Sequence, residues 1–599
     1  MKVSLSITFY KEKKFKETPI GKIPENWEII KFGDVCRFKR GFSYRSDQIT
    51  KDPTKIRFIT INDFEKEGGL KRDAEKVYIR EDVDVNSDFF LNDGDVLIAN
   101  TDMSKGFIIG APILIKSIDG KLVYSMDLTR LIFNKFKVDS TFLFYYLTHE
   151  TVRRKMKSFA QGTNVLHLNH ELVKNMKISL PPLPEQKAIA QILSTVDEAI
   201  QKTDEIIEKT KRLKKGLMQE LLTRGFTVGF MFDTNIFDEI LDGKVELPEN
   251  LRYYVTHLQR DEILNIPEHE RERKEKLLKI FNVVQEEIIP TEGFVVGVSR
   301  LNLAKLMSRE DSELYNKMFE RLTKLDKEAG KLKSPENRAR DILIALTCLK
   351  NCLTLVTNDN NLKKAAQEFQ CPIITFKQLL NGEYREFKDT EIGKIPKEWK
   401  VVKLENIASI KGRIGWHGLR DEDYLPEGEY YLVRGIDFRD GKVTWKKCVY
   451  VSKEWYERDP NIQLKEGDIL ITKDGTIGKV ALVETLPKKA TLGTGIFRIR
   501  VKTNKCLPHY LYYVFESLYF ERFVQVLSAG STLSHLYQKD LVNFKFPLPS
   551  LLEQQKIAEI LLTVDKRLEV ERKRKEKLER IKKGLMDLLL TGRVRVKVG

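Results

Sequence analysis

TPIGKIPENWEIIKFGDV, residues 18–35, returns as TEIGKIPKEWKVVKLENI at residues 390–407. A second pair recurs at nearly the same interval. It is LPEQKAIAQILSTVDEAIQKTDEIIEKTKRLKKGLMQELLT at 183–223 and LLEQQKIAEILLTVDKRLEVERKRKEKLERIKKGLMDLLLT at 551–591. The offsets, 372 and 368 residues, agree to within a few positions. A unit of about two hundred residues is too long for a solenoid repeat and suits a domain with an appendage. One module carried twice, with similar ends and divergent middles, is the arrangement of a chain that grips its partner at two different places.

The second pair predicts the clearest secondary structure of the chain, a long helix in each copy. In the first copy Ile189, Ile192, Val196, Ala199, Thr203, Ile206, Thr210, Leu213 and Leu217 alternate in steps of three and four. That is a coiled-coil seam. Some forty residues make a rod of roughly 60 Å. The second copy keeps Ile557, Ile560, Val564, Leu578, Ile581 and Leu585 but carries Arg567, Glu571 and Arg574 mid-way, charges suited to facing another protein. A long helix without a partner is marginal, so the two copies are expected to pack antiparallel. The middles read as mixed α/β, with matching buried strands in DVLIA (95–99) and DILIT (468–472). Each middle closes on a proline-rich exit, SLPPLPEQ at 179–186 and FPLPSLLEQ at 546–554. Proline there stops a strand and pre-sets the start of a helix.

A chain of 599 residues with 104 basic and 87 acidic side chains carries a formal charge of +17. That excess points to a polyanionic partner, nucleic acid first, although a Lys- and Glu-rich thermophile composition gives part of it. Cys36, Cys348, Cys352, Cys371, Cys448 and Cys506 form no CxxC pair and have no histidine at ligand spacing, so buried thiols in a reducing cytosol are expected. The start, MKVSLSITFYKEKK, has too short an apolar run for a signal peptide, and no stretch is long enough to span a membrane. A cytoplasmic location with no membrane partner follows.

The order of globular region, LPxPEQ-type exit, long helix ending in KKGLMQELLT, and second copy opening on TEIGKIPKEW resembles the DNA specificity (S) subunit of type I restriction–modification systems. The resemblance covers about residues 10–225 and 384–599. It implies a multidomain α/β and α+β chain: a first target-recognition domain at 10–182, a conserved spacer helix at 183–225, a second recognition domain at 384–550 and a second spacer helix at 551–599. It implies further a bipartite duplex DNA target, one half read by each domain, with the antiparallel coiled coil setting the gap. The partners would be two methyltransferase (M) subunits and the restriction (R) subunits. Divergent middles suit different half-sites, because base-edge readout depends on individual side chains.

Residues 226–383 have no counterpart in the repeat and read as an inserted α/β domain. GFMFDTNIF (229–237) is a buried strand running into a helix, RYYVT (252–256) a second strand, RARDILIALTCLK (338–350) an amphipathic helix, and LTLVTNDNNLKKAAQEF (353–369) a strand, turn and helix. Asp233 and Asp359 fall just past strand carboxyl ends, where open parallel sheets place their sites, and Glu262 and Asp341 lie on elements that can converge there. Read as ordinary structure, Asp233 and Asp359 are helix caps, and Asp341 in a first helical turn suits the helix dipole. Four carboxylates in one small volume imply a divalent cation, the usual equipment for phosphodiester hydrolysis. The insert resembles a PIN domain, through Asp233-Thr234-Asn235, Glu262, Asp341 and Thr357-Asn358-Asp359. By that resemblance Asp233, Glu262, Asp341 and Asp359 would be both metal ligands and catalytic acids for Mg²⁺ or Mn²⁺, with Asn235 and Thr357 in support.

Basic loops follow the first strand of each module, RFKRGFSYR at 37–45 and SIKGRIGWHGLR at 409–420, and suit phosphate approach. Arg40, Lys411 and Arg413 are the nucleic-acid candidates there, with Lys473 in ITKDGTIGK (471–479); its partner position in the first copy is Asn100. His167 and His535 coincide at the 368 offset and read as structural. No GxxxxGK[ST] loop and no NPPF or DPPY motif occurs, so neither ATP nor S-adenosylmethionine is expected to bind this chain. The leading expectation is a DNA specificity subunit with no catalysis in its specificity regions. The alternative is a metal-dependent PIN-type nuclease targeted by two DNA-binding arms. In a third reading the insert is a regulatory or docking domain without chemistry.

Overall fold

The computed structural model describes residues 7–598 apart from 72–73, 104–106, 117–119, 228, 244, 246, 249–250, 285–286, 301, 332, 414–418 and 528–534. It divides into two compact units, Met1–Lys209 with Leu568–Gly599, and Thr210–Arg567. Each unit therefore holds one module, the near part of its own long helix and the far part of the other copy's.

In the first unit, the fully buried strand Val96–Ala99 pairs antiparallel with Pro112–Leu114 on one side and Leu128–Phe133 on the other. Leu128–Phe133 in turn pairs with Cys36–Arg40. The strand of the first quoted repeat, Glu28–Lys31, is clasped by Lys177–Leu180, the strand that leads into the long helix. The first recurrent segment is thus hydrogen-bonded to the strand that immediately precedes the second. The core joins Val96, Ile98, Phe142 and Leu143 of the module to Ile189 and Leu193 of the first long helix and Leu589 of the second. The helices, Leu183–Thr223 and Leu551–Leu589, run antiparallel here, tied by Lys582–Asp197 and Lys575–Asp204, both at 2.7 Å. The chain ends meet as well: Ile7–Lys11 pairs antiparallel with Val594–Val598.

The second unit repeats the frame. Ile469–Thr472, fully buried, pairs with Ile496–Val501 and Val480–Leu482, and Ala408–Gly412 pairs with the outer side of Ile496–Val501. Lys400–Lys403 is clasped by Lys545–Leu548. Ile469, Phe497, Tyr510 and Phe546 pack on Met218 and Leu222 of the first helix and Ile557 and Leu561 of the second.

The expected seam is partly displaced. Leu193 and Ile207 are buried, each one residue past a predicted seam position, and Leu213 is 55% exposed. At Leu213 the inward place goes to Lys214, whose ammonium lies 2.7 Å from Asp565. The helix packs on its module as well as on the other helix, so its covered face drifts with the 3.6-residue turn and does not hold a strict 3.5 period. Glu571, expected to face another protein, is 2% exposed.

The insert is an open sheet of five parallel strands in the order Glu287–Ile288, Tyr253–Val255, Gly229–Phe232, Leu353–Val356, Ile373–Ile374. Three further helices of the insert, Arg271–Val284, Arg309–Glu328 and the full Pro335–Lys350, extend the sequence reading, and the last begins three residues earlier than read. Asp341 consequently lies nearly two turns inside its helix, not in the first turn. All six cysteines are buried and unpaired. Among the described residues no helix is long and apolar enough to cross a membrane.

Candidate functional site

The signature residues of the repeat build the same joint in both units. Trp27 Nε1 donates to Glu185 Oε2 at 3.2 Å, and Trp399 Nε1 to Glu553 Oε2 at 2.9 Å. Each glutamate stands in the first turn of its long helix, and an arginine stacked on the tryptophan completes the joint. Arg595, 5.6 Å from the Trp27 ring, donates to Glu185 at 2.7 Å; Arg385, 5.5 Å from the Trp399 ring, donates to Glu553 at 2.8 Å. The neighbouring glutamine fixes the helix to its module. Gln186 Nε2 donates to the carbonyls of Pro181 and Lys137, and Gln554 Nε2 to those of Pro549 and Lys505, all at 2.9 Å. A buried amide with its hydrogen bonds satisfied locks geometry without leaving an unpaired polar group.

The nucleic-acid candidates separate. Arg40 is exposed, its Nε donating to the Met126 carbonyl at 2.8 Å, and Lys411 is exposed on the strand Ala408–Gly412. Arg413 is 5% exposed; its Nε donates to the Leu492 carbonyl at 2.7 Å and its plane faces Trp455. That guanidinium is spent inside the module, and burial draws its pKa down. Residues 414–418 of the same basic loop lie outside the described residues. Lys473 is half-buried with its ammonium 5.4 Å from the Phe497 ring. At the corresponding turn of the first module Asn100 is buried and accepts from His170 Nε2 at 2.9 Å. His167 and His535 take the same backbone place, bridged to Thr101 and Asp474 respectively.

In the insert the four acids come from four elements. Asp233 follows the central strand and accepts from Thr357 Oγ1 at 2.6 Å and from the Thr234 amide at 2.8 Å. Thr234 Oγ1 donates to Glu262 at 2.7 Å. Asp359 caps the helix Asn360–Glu368 through the Asn361 and Leu362 amides, while Asn235 stands exposed at its helix start. Between Asp341 and Asp359 lies the Lys333 ammonium, 2.7 Å from one and 2.6 Å from the other, with Lys331 3.0 Å from Asp359. Burial, then the charge of Asp233, pushes the Asp341 carboxyl up to about 8 despite Lys333. Asp233 is pushed up chiefly by burial. Burial also draws Asp359 upward, but Lys333 and Lys331 with the Asn361 amide outweigh it and hold it at about 2. Lys333 is itself raised, burial notwithstanding, by Asp341 and Asp359. One ammonium cannot satisfy the whole cluster, so Asp359 is the carboxylate it holds ionised. The donor chemistry, hard carboxylate oxygens, is of the kind that Mg²⁺ or Mn²⁺ takes. As folded, however, the described residues contain no group of three or more His, Cys, Asp or Glu at metal-holding spacing.

A family profile for the type I restriction modification DNA specificity domain matches residues 24–212 and 396–580. The chain belongs to the type I restriction–modification DNA specificity family. It is 22% identical over 608 aligned positions to the type I restriction enzyme MjaVIII specificity subunit of Methanocaldococcus jannaschii, covering 98% of each chain. To the putative MjaX specificity subunit of the same organism it is 25% identical over 595 positions, covering 99% of each. The crystal structure of a type I restriction–modification S subunit from M. genitalium aligns with 94% of this chain and 96% of that one, at 15% identity and a TM-score of 0.45.

The two matched stretches of this specificity-family chain take in Trp27, Glu185 and Gln186, then Trp399, Glu553 and Gln554, but neither arginine of the joints and none of the insert. Sequence reasoning passed over Arg595 and Arg385 because they stand at unrelated places in the two copies. It also passed over Lys331 and Lys333, which sit in an unpatterned KLKS stretch. The buried glutamines did have a signal, the EQ pair shared by both exits.

Proposed function

We propose that this specificity-family chain reads a bipartite duplex DNA site, one half with each module, and positions methyltransferase and restriction subunits on it. The supporting observation is a constant frame with a variable turn. The Trp–Glu–Arg joint and the buried glutamine recur in both units, while Asn100 and Lys473 give the equivalent turns different chemistry. Identical frames present two reading surfaces in the same way, and side-chain differences at those surfaces specify different bases. The formal charge of +17 supplies the salt-sensitive attraction to phosphate, and Arg40, Lys411 and Lys473 are the exposed or half-buried cations proposed to meet it. Arg413 is proposed to shape the second module from within. The test is a map of methylated adenines in cells expressing this chain with its methyltransferase subunit. A two-part motif with a fixed gap is expected, and exchanging the second module should change one half only; a motif indifferent to the exchange would refute the assignment.

A second activity is proposed for the insert, because its acids gather at the carboxyl end of a parallel sheet, where such sheets bind ligands. Asp233, Glu262, Asp341 and Asp359 would hold Mg²⁺ or Mn²⁺, whose chemistry when bound is to polarise a phosphodiester and acidify water. Thr357 and Thr234 orient Asp233 and Glu262 by the hydrogen bonds described above. Asp341→Asn is expected to leave the methylation map unchanged and to abolish any metal-dependent cleavage of nucleic acid by the purified chain. Cleavage surviving the substitution would remove this second reading.

A further inference from the structure

We propose that Lys333, backed by Lys331, is a built-in counter-ion occupying the cation position of the insert, so that a divalent cation binds only by displacing it. The inference rests on the metal reading of the insert. Its carrier is the geometry of a single ammonium. Lys333 Nζ lies 2.7 Å from Asp341 Oδ2 and 2.6 Å from Asp359 Oδ2, bridging a carboxyl group from the middle of one helix and the one that caps another. Those side chains are 14% and 7% exposed, and Lys333 itself 28%. A divalent cation coordinating the same oxygens at about 2.0–2.2 Å would need the space the ammonium fills. The two occupants are mutually exclusive.

The lysines are delivered by a built frame. Asp326, fully buried at the end of Arg309–Glu328, receives Arg338 Nε at 2.9 Å and Asn361 Nδ2 at 2.9 Å, fastening three helices around the cluster. The Lys331 amide donates to the Asp326 carbonyl at 2.9 Å. Ser334 then caps Pro335–Lys350, accepting from the Asn337 amide. These contacts anchor the chain at Lys331 and at Ser334, and the Lys333 ammonium reaches both acids from between those points. A long lysine free in solvent keeps its rotamer freedom; this one gives it up for two buried carboxylates. Asp233 remains beside the pair with only the Thr357 hydroxyl and the Thr234 amide as donors of its own, so its oxygens are held in place without a cation partner among those hydrogen bonds.

The experiment uses the full-length chain, stripped of metal, with Mn²⁺ binding followed by electron paramagnetic resonance. Lys333→Met is expected to bind Mn²⁺ about tenfold or more tightly than wild type and, unlike wild type, to gain thermal stability from it. Both gains should vanish when Asp341→Asn is added. Equal Mn²⁺ affinity in wild type and Lys333→Met, at a site that Asp341→Asn removes, would overturn the counter-ion and leave the metal reading standing. No Mn²⁺ binding in either would overturn both. A measurement on the unaltered chain guards against misfolding of the variant: acetylation of Lys333, read by mass spectrometry, should rise severalfold when saturating Mn²⁺ is present. Unchanged labelling with Mn²⁺ bound would overturn the proposal.

Discussion

Glu386 shows how one carboxylate fastens the insert to the second module. It accepts from Lys397 at 3.0 Å, from Gln378 and Gln367 at 3.1 Å, and from Lys363, all on a side chain 16% exposed. Burial draws its carboxyl up, but Lys363, Lys397 and Gln378 outweigh that and hold it at about 2, against an ordinary 4.5. A depressed folded pKa contributes stability that is complete above the unfolded value and is lost as pH falls through the folded one. The second unit should therefore lose stability between about pH 4.5 and pH 2 through this group. Glu386→Gln is expected to cost about 1–2 kcal/mol at neutral pH. It should also flatten that limb of a urea-midpoint-against-pH curve; an acid limb identical to wild type would show that Glu386 does not hold the joint.

At the scale of elements, the short terminal strand Val594–Val598 does more than its length suggests. It is the partner of Ile7–Lys11 and brings Arg595 to Glu185, Glu12 and the Trp27 ring. Removing residues 593–599 leaves Glu185 buried at the start of the first long helix without its counter-charge. Stranding one member of a buried pair costs about 3–5 kcal/mol. The truncated chain should show an unfolding transition lowered accordingly for the first unit, by calorimetry, with the second unit unchanged. A smaller joint within each unit ties helix to module: Tyr145 and Lys582 meet at Asp197, as Tyr513 and Lys214 meet at Asp565. In both cases the lysine comes from the other copy's helix, so neither copy completes its unit alone.

At the scale of the molecule, the insert enters where the chain can spare it. Arg385 Nη1 donates to the Arg224 carbonyl at 3.1 Å, so the segments before and after the insert are neighbours. The equivalent place in the first unit is occupied by the chain ends, with the Glu12 amide donating to the Arg593 carbonyl at 3.2 Å. A domain whose ends lie together can be added at an exposed joint without displacing its host. Replacing residues 227–383 with about four Gly and Ser residues, enough to span roughly 13 Å, keeps Arg385 and Glu553. The methylation motif should survive with both halves and the same gap. Loss of the second half-site would mean that the insert helps to build the second module.

The amino-acid sequence by itself determined the duplication, the two long helices, the strands at 95–99 and 468–472, and the place and α/β class of the insert. Those features are written in short-range signals, periodicity and proline and turn chemistry, which act over a few residues. Only the tertiary structure decided which cations meet which acids. Arg595 is 410 residues from Glu185, and Arg385 is 168 from Glu553, yet both fill the same position over a tryptophan. It likewise sent Arg413 inside, left Leu213 in solvent and set Lys333 between two aspartates. A charge removed from water needs a partner, and any segment that the fold brings within reach can supply it, so sequence distance carries no record of the choice.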